Sequence, residues 1–107
     1  MRFSELLTPK FLRPFRKVFR KLSNANQRRR IQRAVDEILD IPKRNSRFGK
    51  GQWRGKRERR VGDLRIMYSH CEECRQKGHT IYNNCPDCDS TPDDVGTFYT
   101  IITGHKF

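Results

Sequence analysis

Four cysteines fall within one 18-residue window: Cys71-x2-Cys74, ten intervening residues, then Cys85-x2-Cys88. Two C-x2-C pairs can bring four thiolates to one point, which matches the tetrahedral preference of zinc. Cys85-Pro86-Asp87-Cys88 reads as a tight zinc knuckle. The expectation is one structural Zn2+ held by Cys71, Cys74, Cys85 and Cys88. A closed four-thiolate shell leaves no position for water, so the role assigned is structural, not catalytic. Four thiolates and one divalent cation carry a charge near −2, which Arg75 and Lys77 are placed to offset. Iron is the competing metal. A pair of disulfides and a redox use of one C-x2-C pair are the other readings. His70 and His79 flank the window and read as loop or surface histidines, because four thiolates already complete the shell.

The second chemistry-bearing set is basic. The chain has 107 residues and a formal net charge of +12. Residues 1–70 hold 21 Lys and Arg against 6 Asp and Glu, whereas residues 71–94 hold 2 against 6. The cysteine segment is therefore an acidic island in a basic protein. Such a surplus suits a polyanionic partner: DNA, RNA, a ribosome or an acidic protein. Solubility alone is the plainer reading, but a balanced surface would serve it equally well. The apolar share is 34%, thin for one core, so a metal clip would add needed stability. No apolar run is long enough for a membrane span. Met1-Arg2-Phe3-Ser4-Glu5 lacks the apolar core of a secretory signal. The expected compartment is the cytoplasm, where thiols stay reduced.

These side chains need elements to position them. Phe11, Phe15, Val18, Phe19 and Leu22 share one face of a helix, with Pro14 in its first turn or at a bend. Ser23-Asn24-Ala25-Asn26 supplies cap candidates. Ile31, Ala34, Val35, Ile38 and Leu39 mark a second helix, which should stop before Ile41-Pro42. A short connection predicts an antiparallel helical hairpin. Residues 2–7 read as a short strand or an irregular lead-in. Residues 43–60 hold nine Lys and Arg, with Phe48 and Trp53 among them, and their first part reads as a loop. Arg54 to Val61 reads as a strand, Gly62-Asp63 as a tight turn and Leu64 to His70 as the partner strand. Leu64, Ile66 and Tyr68 should share one face, and Arg65, Met67 and Ser69 the other. Residues 71–94 show neither helical nor strand periodicity. Val95 to Thr103 is the clearest strand. The order predicts a single α+β domain over 1–107: a helical hairpin packed on a small antiparallel sheet, with a zinc-binding insertion at 71–94 between the last two strands.

The run Gly55-Lys56-Arg57-Glu58-Arg59-Arg60-Val61-Gly62-Asp63-Leu64-Arg65-Ile66-Met67-Tyr68 resembles the central hairpin of the RelE/ParE toxin superfamily. That family commonly reads Arg-Val-Gly-Asp-Tyr-Arg, then apolar residues and Tyr. Ile101-Ile102-Thr103-Gly104-His105-Lys106 resembles its last strand, which closes on Gly-His-Arg. The resemblance covers nearly the whole chain except the cysteine insertion. It implies a RelE-like mRNA interferase, the toxin of a type II toxin–antitoxin system. Such endoribonucleases cut mRNA, usually on the ribosome, by attack of a 2′-hydroxyl on the adjacent phosphate. The chemistry needs a base, positive charge on the phosphorane and an acid for the leaving 5′-oxygen. By position, the resemblance implies a catalytic set of Arg65 (phosphate contact), Lys56 (strand lysine), Arg60, Lys106 and His105. His105 can serve as acid or base near neutral pH. Arg54, Arg57, Arg59 and Trp53 are the implied RNA contacts; Trp53 can stack on a base or pack against the sheet.

Two departures accompany the resemblance. Glu58 stands where a second basic residue is expected, and no Tyr follows the closing motif. The resemblance also implies an acidic antitoxin as partner, beside mRNA and the ribosome. A ParE-like inhibitor that binds DNA gyrase and cleaves nothing is the second reading. A zinc-stabilised RNA- or ribosome-binding module without toxic action is the third.

Overall fold

The computed structural model describes residues 6–103. Strand β1 (Thr8–Phe11) leads into helix α1 (Arg13–Lys21) and helix α2 (Ala25–Asp40). Pro14 sits in the first turn of α1, where its missing N–H costs nothing. Asn24 caps α2 by accepting from the backbone N–H groups of Asn26 (2.8 Å) and Gln27 (3.2 Å). The α2 helix ends at Asp40, just before the Ile41-Pro42 pair.

The sheet continues with β2 (Arg47–Phe48), β3 (Arg57–Val61), β4 (Leu64–His70) and β5 (Val95–Ile102). Gly62-Asp63 closes the β3–β4 hairpin, with Gly62 at φ +61° and Val61 opposite Leu64. Strand order is β1-β5-β4-β3-β2. The pairs β2–β3, β3–β4 and β4–β5 are antiparallel, but β1 runs parallel to β5. The sheet is thus mixed, which corrects the antiparallel expectation. β1 is a four-residue edge strand that tolerates Pro9. Its partner lies at the far end of the sequence, and no local turn signal announces such a pairing. The lead-in strand expected at 2–7 begins in residues outside those described; the strand observed is Thr8–Phe11.

One face of the sheet carries the core. Phe15, Leu22, Ile31, Val35 and Ile38 from the helices meet Leu64, Ile66, Tyr68, Phe98 and Ile101 from β4 and β5. The predicted alternation along β4 holds. Phe11, at the end of β1 and not on the helix, still stacks 5.1 Å from both Phe15 and Phe98. The α1 helix leans on β5, and α2 on β3.

Two further corrections concern residues 43–94. The β3 strand starts at Arg57, not Arg54, because Gly51–Trp53 forms a 3-10 turn and Gly55 takes φ +88°. The cysteine segment is not irregular: it contains helices α3 (Cys71–Gln76) and α4 (Thr80–Asn83) and a 3-10 turn at Cys88–Ser90. The buried side of α3 is Cys71, Glu73 and Cys74. Hydrophobic periodicity cannot see a helix whose buried face is a carboxylate and two thiols.

Candidate functional site

The second face of the sheet, opposite the helices, is divided in two. Near the start of β5 the cysteine insertion covers it. Cys71 Sγ lies 3.4 Å from Thr97 Oγ1, and Cys85 Sγ lies 3.0 Å from the Tyr99 hydroxyl. That hydroxyl is also 2.8 Å from Ser69 Oγ. Asn83 Nδ2 donates to Cys74 Sγ (3.2 Å) and to the Gly55 carbonyl (2.9 Å). Arg75 donates to the carbonyls of Cys88 (2.7 Å) and Thr91 and pairs with Asp93.

All four cysteines are free and lie within electrostatic range of one another. Burial pushes the Cys71 and Cys74 thiols up, and their neighbouring thiols add to this. Among the described residues, no group of three or more His, Cys, Asp or Glu side chains is converged tightly enough to hold a metal ion as it stands. The thiols are gathered but not closed on a common centre.

A register shift places Tyr99 in this half. Met67 faces Thr100 while Tyr68 faces Phe98, so Tyr99 is an extra residue in β5. Phe98 and Ile101 point to the helices, while Tyr99 reaches the thiols. Lys56 follows it: its ammonium sits 4.7 Å from the Tyr99 ring. Burial lowers the Lys56 pKa, opposed by the charges of Cys85 and Cys74. The turn before Lys56 packs on the insertion, where a Cβ on Gly55 would come within 2.9 Å of Tyr82 Cβ. Lys77 lies 5.8 Å from the Phe48 ring.

The other half of this face is an open groove. Arg47, Lys50, Trp53, Glu58, Arg65 and Ile102 are among the residues around a space of about 360 Å³. Glu58 is only 9% exposed. Its carboxylate lies 3.0 Å from the Arg65 guanidinium and 3.3 Å from that of Arg47. On its other side Glu58 lines a second recess with Asn45, Ser46, Arg47 and Arg60. Arg60 stands opposite Arg65 in the hairpin register, and Arg65 opposite Ile102.

The structure therefore separates the residues that the sequence grouped. Arg65 and Trp53 line the groove and Arg60 the neighbouring recess, whereas Lys56 belongs to the thiol half. Trp53 is half-buried on the groove wall and takes no part in the helix-side core. Arg57 and Arg59 point away from it. Arg57 makes a two-pronged pair with Glu73, 2.8 Å on each prong, and lies 4.3 Å from the Phe48 ring. Arg59 pairs with Glu37 of α2. Arg54 is exposed, 5.3 Å from the Tyr82 ring. His105 and Lys106 lie outside the described residues. Sequence reasoning treated Glu58 as a departure and did not single out Arg47 or Lys50. The available signal was Glu58 itself, a lone carboxylate in the run Lys56-Arg57-Glu58-Arg59-Arg60.

A family model described as the ParE toxin of the type II toxin–antitoxin system parDE matches residues 6–82. The chain belongs to this toxin family. Membership implies an antitoxin partner for the toxin. The matched stretch takes in both helices, the β3–β4 hairpin and the first cysteine pair. It stops before Cys85, Cys88 and β5. No curated protein and no solved structure matches the toxin. Among its described residues, no helix is long and apolar enough to cross a membrane.

Proposed function

We propose that this toxin is an endoribonuclease that cuts mRNA, engaged on the ribosome in the cytoplasm, and that the open groove is its active site. The observation that carries the reading is the Glu58 carboxylate, sheltered between Arg65 and Arg47 beside Trp53. Cleavage by a 2′-hydroxyl needs a proton acceptor next to cations that bind the scissile phosphate. Glu58 takes the 2′-hydroxyl proton as the oxygen attacks phosphorus. Arg65 and Arg47 bring guanidinium N–H donors to the phosphate oxygens. The P–O5′ bond breaks, the 5′-oxygen takes a proton from a general acid, and a 2′,3′-cyclic phosphate remains. His105 of the closing motif is the candidate acid. Trp53 offers a surface on which an adjacent base stacks. Its basic faces suit rRNA and an acidic antitoxin segment.

The test is a cleavage map. Purified toxin is incubated with an mRNA, free and loaded on ribosomes, and new 5′ ends are located by primer extension. Cuts at ribosome-occupied codons that disappear in Arg65→Ala are expected. The absence of cuts in both samples overturns the reading.

Inhibition of DNA gyrase without cleavage is the second reading. It is supported by the ParE description of the matching family and by the engagement of Arg57, Arg59 and Lys56 in internal contacts. Loss of supercoiling activity in a gyrase assay, with RNA left intact, would favour it.

A further inference from the structure

We propose that Cys71, Cys74, Cys85 and Cys88 bind one zinc ion, and that Lys56 and Arg75 are the cations that balance the resulting site. The proposed cleavage does not use these thiols, and the two C-x2-C pairs are the strongest motif it leaves unexplained. Their spacing alone suggests zinc, but the surroundings argue for it independently.

Three of the thiols already meet a polar group from another part of the chain: Thr97 for Cys71, Asn83 for Cys74 and Tyr99 for Cys85. The fourth residue, Cys88, has its backbone carbonyl held by Arg75. An uncharged thiol gains little from such polar neighbours. A zinc-bound thiolate gains much more, because hydrogen bonds to the sulfur and nearby cations offset its charge. Lys56, just before the basic strand β3, is turned into this half of the sheet and lies half-buried over the Tyr99 ring. No carboxylate among the described residues pairs with that ammonium; a four-thiolate zinc centre near −2 supplies the opposite charge.

The thiols are not closed on one point, and metal binding supplies that closure. Cys85 follows the four-residue helix α4, and Cys88 opens the three-residue 3-10 turn, so only short elements hold this pair in place. Zinc–thiolate bonds are strong enough to drive such ordering. The site would clamp the insertion to β5 through Thr97 and Tyr99, so its role is to hold the insertion against the sheet beside the groove.

The experiment uses the full-length toxin, purified without a metal-affinity tag and with its antitoxin removed by denaturation, then refolded with and without zinc. Metal content is measured by mass spectrometry after exhaustive dialysis. Thiol reactivity is measured in parallel. About one zinc per chain, with all four thiols protected until a chelator is added, is the expected result. Cobalt substitution should give the intense sulfur-to-metal absorption of a tetrahedral thiolate site. Retention of no metal, or free reaction of all four thiols in a folded protein, overturns the proposal, as does a pair of stable disulfides. Cys88→Ser, at a half-exposed position, should retain the fold and lose tight binding. Lys56→Ala should weaken zinc affinity roughly 10- to 100-fold, with Lys56→Arg restoring most of it. Unchanged affinity in Lys56→Ala removes Lys56 from the site. None of these readouts depends on RNA cleavage, so they stand or fall apart from the proposed function.

Discussion

The two halves of one sheet face use the same strands for opposite ends. In the thiol half, Thr97 and Tyr99 turn inward to sulfur, Ser69 meets the Tyr99 hydroxyl, and Lys56 lies half-buried over the Tyr99 ring. In the groove half, one strand pair further along, Glu58, Arg65 and Arg47 form a charged cluster around an open space. The first half is closed over by α3, α4 and the cysteine loops, so its polar groups serve the fold. No described residue covers the second half, so its polar groups face whatever enters. Residue type alone does not distinguish them, since a lysine and an arginine from the same hairpin end up in different halves. Cover by the insertion does.

The comparison is sharpest at Glu58. Glu58→Gln keeps the shape and removes the charge. If the groove is catalytic, RNA turnover should fall about 10²- to 10⁴-fold, while RNA affinity holds or rises because a negative charge leaves a basic groove. Single-turnover cleavage and filter binding measure the two. A parallel fall in affinity would move the groove into the class of plain binding surfaces.

The next largest effect belongs to the covered side. Glu73→Ala leaves Arg57 buried without its partner and should cost about 3–5 kcal/mol in denaturant unfolding. A loss under about 1 kcal/mol would show that water or Ser46 replaces the carboxylate. The same pair fixes an acid limit. Burial raises the Glu73 carboxyl, but the hydrogen bonds and charge of Arg57 outweigh it, and the folded-state pKa is lowered. A depressed carboxylate contributes stability above its unfolded value, about 4.3, and loses it as pH falls through the folded value. Melting temperature should therefore fall as pH drops below about 4.3, and Glu73→Gln should flatten that part of the profile.

Tyr99→Phe is a smaller lesion. It removes the hydroxyl shared by Ser69 and Cys85 and should cost about 0.5–1.5 kcal/mol, read by thermal unfolding, with little change at the groove. The smallest effect is expected at Arg60, which is exposed. Arg60→Ala should shift stability by less than about 0.5 kcal/mol and lower the salt slope of RNA binding by about 1. An unchanged slope would take Arg60 out of the phosphate path.

Much of this architecture was legible in local signals. Pro14 and Asn24 mark helix starts, Ile41-Pro42 marks a stop, and Gly62-Asp63 marks the hairpin turn. The alternation Leu64, Ile66, Tyr68 assigned the core face of β4 correctly. Each is a constraint between near neighbours, readable from a short window. Three features were not legible. The α3 helix hides its periodicity behind Glu73 and two cysteines. The β1–β5 pairing joins Thr8 to Val95. The strand expected from Arg54 stops short at Gly55, whose turn sends Lys56 toward the insertion.

By itself, the sequence determined the alternation that splits the sheet into two faces, the basic surplus of the first 70 residues and the gathering of four cysteines in one segment. Only the tertiary structure decided which charges are free to act. Arg57 and Arg59 are drawn into ion pairs with Glu73 and Glu37, carboxylates on α3 and α2. Lys56 is drawn to the thiols, and Glu58 is set among arginines at the groove. The physical reason is that a side chain's partner depends on strand register and on what covers the sheet. One extra residue at Tyr99 changes the facing of everything after it in β5. No local pattern in the chain announces that residue.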